Sequence, residues 1–117
     1  MNDIGEIKNV LRQLGITPNK KGYHYLVKGV MLVKSDFECG KPARSFMGVY
    51  NTIAVVFDTK GGSVERCLRS VVEDAKYENT EVFKHLFGNI KNITVSNFIS
   101  VIAEHIAQNN LLEDRPW

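Results

Sequence analysis

An all-α fold follows from two observations on this chain of 117 residues. Hydrophobic side chains recur at three- and four-residue steps from one end to the other, which is the period of a helix. No region shows sustained strict alternation of apolar and polar residues, so almost no sheet and no wing are expected. The stripes resolve into about six helices. Helix one carries Ile4, Ile7, Val10, Leu11 and Leu14, with Asn2 or Asp3 as its cap and Gly15 as its stop. Ile16, Thr17 and Pro18 form a turn. Helix two should start near Lys20, run to about Lys34, and bury Tyr23, Leu26, Val27, Val30, Met31 and Val33. Gly29 inside it costs ~1 kcal/mol relative to Ala, which points to another helix crossing closely. Ser35 to Pro42 reads as a connection with turn chemistry.

Helix three is expected from about Ala43 to Phe57, with Val49, Tyr50, Ile53, Ala54 and Phe57 on one face. Asp58, Thr59, Lys60, Gly61 and Gly62 then read as a turn. Ser63, or a residue next to it, caps helix four, whose stripe is Val64, Cys67, Leu68, Val71, Val72 and Ala75 and which ends near Tyr77. Thr80 caps a short helix carrying Val82, Phe83, Leu86 and Phe87 and ending at Gly88. Asn89 to Ile93 is a loop. Thr94 or Ser96 caps a last helix with Phe98, Ile99, Val101, Ile102 and Ile106 inward. One core is expected to hold Ile53, Phe57, Val64, Leu68, Val71, Phe98 and Ile102. The ending LLEDRPW reads as frayed or loosely packed, with Trp117 an incidental terminal aromatic.

The length suits one domain and is too short for two of ordinary size. At 44% hydrophobic and 24% charged the composition is that of a soluble globular protein. The longest apolar runs, Gly29 to Val33 and Ile53 to Phe57, fall far short of the ~20 residues of a membrane helix. The start, MNDIGEIKN, lacks a basic segment followed by an apolar core, so it is not a secretory signal. Cys39 and Cys67 make neither a disulfide framework nor a zinc set, and Cys67 reads as a buried free thiol on the helix-four stripe. These features suit a cytoplasmic protein with no membrane partner.

Net charge is only +2, but it is unevenly spread. Residues 1–76 hold twelve Lys or Arg against eight Asp or Glu, and residues 77–117 hold three against five. A basic front suits contact with phosphates, although scattered surface lysines explain it almost as well. Helices three and four with the tight turn between them fit a helix-turn-helix, and helix four exposes Glu65, Arg66, Arg69 and Ser70 opposite its apolar stripe. Arg66 and Arg69, three residues apart, could reach a base edge and a phosphate together, and Glu65 suits a cytosine amino group. The competing reading is a Glu65–Arg69 pair at i, i+4 on a solvated surface. Lys60 in the turn is placed for phosphate; Lys20 and Lys21 are equally well explained as solvated. His24, His85 and His105 are far apart in the chain and lack ligand spacing with the cysteines, so no metal is expected. No Ser–His–Asp or Cys–His arrangement, Walker loop or dinucleotide loop is present, and the adjacent Glu73 and Asp74 point to different sides of a helix. Neither an enzyme nor a cofactor is expected.

Five segments in order then carry a family resemblance: LRQLGITPNKKGYHYLVKGVMLV, VYNTIAVVFDT, SVERCLRSVVEDA, FKHLFG and SNFISVIAEHI. KGYHYL at Lys21 to Leu26, VER at Val64 to Arg66 with Arg69 behind it, and LFG at Leu86 to Gly88 are its strongest parts. From about Leu11 to Ile106 the chain resembles the C-terminal effector domain of the stage-zero sporulation response regulator, the sporulation initiation factor of endospore-forming Firmicutes.

The resemblance implies a sequence-specific transcription regulator whose helix beginning at VER enters the major groove of double-stranded DNA. It implies tandem copies on repeated sites, and it brings RNA polymerase and a homodimer into view as partners. The implied DNA-binding residues are Lys60, Ser63, Glu65, Arg66, Arg69 and Ser70. Family members usually carry an N-terminal receiver domain, for which the roughly ten residues before the matched region leave no room. The chain is therefore expected to be a stand-alone relative or a fragment, with Met1 favouring the first. Family members also place a basic residue where Ser63 stands, so the resemblance implies altered readout here. The alternative is an interaction module that keeps the fold without useful DNA affinity and pairs with a full-length relative or another protein.

Overall fold

The chain folds into α1 (Asp3–Gln13), α2 (Lys21–Glu38), α3 (Phe46–Val56), α4 (Gly61–Glu78), α5 (Glu81–Phe87) and α6 (Val95–Glu113), with no strand among the described residues. The structure is a computed structural model that describes residues 3–40 and 45–113. The all-α expectation and the order of helices hold. The expected cap Asn2, the helix-three start at Ala43 and Trp117 lie outside the described residues.

Helix α2 is the axis of the fold, packed by α1, α3, α4 and α6. Its Gly29 sits where two helices cross: an added Cβ would lie 3.2 Å from Ile99 of α6 and 3.4 Å from Ile53 of α3. Gly22 makes a still closer crossing, with the Cβ position 2.3 Å from Val71 Cγ2 and 2.5 Å from the Cys67 carbonyl oxygen of α4. The expected core residues Ile53, Val64, Leu68, Val71, Phe98 and Ile102 are all buried together. Phe87 of α5 stacks on Phe98 at 4.9 Å between ring centroids and fixes α5 to α6.

Several expectations need correction, among them Met31, which is half-buried rather than buried. Helix α2 does not end near Lys34 but runs to Glu38, so Ser35 to Glu38 are helical rather than a connection. Two features accompany the extra turn: Lys34 and Asp36 are buried, and the Lys34 ammonium donates to Glu38 at 2.6 Å, one helical turn on. Phe57 is not in the core. It is the C-cap of α3, 39% exposed, with its ring edge-on to Tyr25 at 5.0 Å. Cys67 is half-buried rather than buried. Finally, α6 continues to Glu113, through the LLE of the segment expected to be loose.

The caps follow the side-chain chemistry. Ser45, Thr80 and Thr94 each accept a hydrogen bond from the backbone N–H three residues on, at 3.1, 3.2 and 3.1 Å. Gly15 stops α1 with φ +83°, a backbone region that a side chain rarely enters.

Candidate nucleic-acid interface

Helices α3 and α4 pack against each other and are joined by residues 57–60, the length of a helix-turn-helix turn. The turn is built differently from the expectation. Asp58, at φ +53°, takes the left-handed position, which short polar residues tolerate better than most. The Thr59 N–H closes back on the Ala54 carbonyl at 2.9 Å. Gly61 and Gly62 are therefore not turn residues but the first turn of α4, with Lys60 as N-cap. Ser63 is not the cap: it is the third helical residue and is half-buried. Lys60 makes no side-chain cap, so the first N–H groups of α4 keep their positive end undamped by a capping oxygen or an acidic residue.

The apolar stripe Val64, Leu68, Val71, Val72 and Ala75 turns one side of α4 into the core. At 100° per residue the opposite side is centred on Arg66, with Arg69 and Ser70 beside it; all three are exposed. Glu65 and Ser63 fall on opposite flanks of that face, so the structure groups Arg66, Arg69 and Ser70 but separates Ser63 from Glu65. Arg69 donates to Glu65 across one turn, the intrahelical pair weighed from the sequence. Lys20 is drawn to Asp74 of α4 and so is held at the α2–α4 crossing. Lys60 and Arg66 are exposed and belong to none of the ion pairs among the described residues.

A family model described as Sporulation initiation factor Spo0A C terminal matches residues 7–106. The chain belongs to this family. The match reaches into α1, four residues before the segment that first carried the resemblance. The family is one of DNA-binding, transcription-regulating sporulation domains, not of enzymes. No helix among the described residues is long and apolar enough to cross a membrane.

In this sporulation-factor domain the flank of α4 carrying Glu65 and Arg69 borders a groove of about 370 Å³ shared with Tyr50, Thr94 and Ser96. The Ser96 side chain lies within hydrogen-bonding reach of the Tyr50 hydroxyl, and so links α3 to the start of α6 beside α4. Burial pushes the Tyr50 phenol above its ordinary value, against the opposing pull of the Ser96 hydrogen bond and the Arg69 charge. Sequence reading named neither Tyr50 nor Ser96 as site residues. Tyr50 was visible only as part of the α3 stripe, and no local pattern joins it to a residue 46 positions later.

His85 and His105, far apart in sequence, prove to be electrostatic neighbours across α5 and α6. Burial and then the His85 charge hold the His105 imidazole below its ordinary value. Among the described residues no group of three or more His, Cys, Asp or Glu could hold a metal ion.

Proposed function

We propose that this domain is a sequence-specific regulator that lays the first turns of α4 in the major groove of duplex DNA. The observation that carries the reading is the position of Arg66: exposed, outside the ion pairs, and at the centre of the outward face of α4. A guanidinium so placed can bond both acceptors of a guanine edge. Lys60 and the uncapped start of α4 suit a backbone phosphate, since helix N-termini favour anions. Ser63 and Ser70, two turns apart, offer hydroxyls on the flank opposite Glu65. Arg69 must leave Glu65 to reach DNA, at little cost, because an exposed i, i+4 pair contributes only ~0.3–0.5 kcal/mol. Glu65 is then released to accept from a cytosine amino group.

Ser63 supplies no charge at a position where a second basic contact would sharpen readout, so Arg66 carries more of the discrimination. Tandem occupation of repeated sites, contact with RNA polymerase and action in the cytoplasm belong to the same reading, which asks for no receiver within these residues. A second reading, a module that acts by pairing with another protein, is favoured by one observation: the outer side of α3 is apolar and open, with Val55 82% exposed.

Titration against matched and single-mismatch duplexes at several salt concentrations separates these roles. Arg66→Ala is expected to cost ~1–3 kcal/mol on the preferred site and to flatten discrimination at one base pair. Lys60→Ala should weaken all duplexes alike and reduce the salt slope by about 0.9. Equal losses on every duplex for Arg66→Ala would make that residue a phosphate contact. Absence of binding by the unmutated domain at low salt would overturn the DNA-binding reading.

A further inference from the structure

Helix α3 has the sequence FMGVYNTIAVV, without one charged residue. Its inner stripe of Val49, Ile53 and Ala54 is buried. Its outer stripe is Met47, Gly48, Asn51, Thr52, Val55 and Val56, a two-residue-wide band repeating every four positions. Met47 is 70%, Val55 82% and Val56 54% exposed. The Thr52 hydroxyl already donates to the Gly48 carbonyl at 2.9 Å, so it can be buried without losing a partner. A helix that is uncharged on both sides belongs between two packed surfaces, and among the described residues only one is covered.

We infer that the outer face of α3 pairs with the same face of a second copy of this chain about a two-fold axis. The lack of charge selects the partner. A charged face laid against this one would be desolvated with nothing to offset it, whereas a second α3 brings none. The order of residues is also self-complementary in the antiparallel sense. With the axis near Asn51, the long Met47 of each copy lies over Val55 of the other, and the two Asn51 amides can bond reciprocally. Gly48 and Thr52, small and polar-satisfied, let the backbones approach. An 11-residue helix is about 16 Å long, and a face of that length buries well below the ~800 Å² per partner of a standard interface. The pair is therefore weak and reversible. The inference does not depend on the DNA-binding reading, although Asn51 lies beside Gly61 at the start of α4.

Sedimentation of the unmutated chain between about 10 μM and about 1 mM tests it, without DNA. The weight-average mass should climb from monomer towards dimer. Val55→Glu, at a site too exposed to disturb the fold, should keep the chain monomeric throughout, with an unchanged helical circular-dichroism spectrum as the control. Met47→Lys combined with Val55→Glu should restore association, since the antiparallel pair sets each lysine against the other copy's glutamate. Within one helix the two positions are eight residues and ~12 Å apart, so the rescue cannot arise inside a single chain. A chain that stays monomeric at the highest concentration, a Val55→Glu variant that associates as well as its parent, or a double variant that fails to recover would each overturn the proposal.

Discussion

Gly22 shows how a single residue of the KGYHYL segment bears on the placement of α4 from a distance. It lies on α2, yet what it touches is the peptide of Cys67, the residue following Arg66. An Ala there would drive its methyl into a backbone carbonyl that cannot rotate away, so α4 itself would have to shift. Such overpacking costs ~1–3 kcal/mol, and a fixed carbonyl puts Gly22→Ala at the upper end. Gly62 is the opposite case, because an added Cβ there meets nothing within 4 Å and the residue is already helical. Gly62→Ala should leave stability unchanged or raise it by up to ~1 kcal/mol through the unfolded chain. Urea unfolding of the two variants checks the contrast. A mild Gly22→Ala would show that the crossing has slack.

At the scale of elements, the existence of every helix was legible in the sequence, as were the Thr80 and Gly88 ends of α5 and the Thr94 cap of α6, whereas the end of α2 and the start of α4 were not. Periodicity reports which residues face inward, and that survives translation of a helix end by several residues. Boundaries depend on local chemistry that tertiary structure can override. Ser35 and Asp36 carry the side chains of a turn, but α2 winds past them, with Asp36 buried and Lys34 bonded to Glu38. Gly61 and Gly62 look like punctuation, yet the first turn of a helix has N–H groups without intrahelical partners, so weak helix formers are tolerated there. The α5–α6 contact gives a pH dependence that no pattern announces. The depressed His105 favours its neutral form when folded, so its contribution to stability is present above the ordinary value of 6.5 and lost as pH falls through the lower folded value. Stability measured by urea unfolding is expected to decline from about pH 7 to about pH 5, with a shallower decline in His105→Gln. His85→Gln, by removing a neighbouring charge, should raise the His105 midpoint in an NMR titration. An unchanged midpoint would leave burial as the whole cause.

For the molecule as a whole, the outward Arg66, Arg69 and Ser70 could be read from the sequence because a helical wheel needs only one element. The Tyr50–Ser96 tie, the Lys20–Asp74 bridge and the histidine pair could not, since each joins elements whose arrangement is set by packing. Packing also grades the molecule in time. Helix α2 is held by four other helices, so its central amides, around Leu26 to Val30, can meet solvent only when most of the core has come apart. Helix α5, of seven residues and resting chiefly on α6, can lift away while the rest stays closed. Native-state hydrogen exchange should therefore find the α2 amides slowest, with an opening free energy equal to global unfolding, and the α5 amides far faster and insensitive to low urea. Equal protection of the two helices would mean that the domain opens as one unit. If the gradient is found, the surface carrying α4 is anchored to the part of the domain that opens last. Arg66 would then keep its setting through the frequent, partial openings of α5.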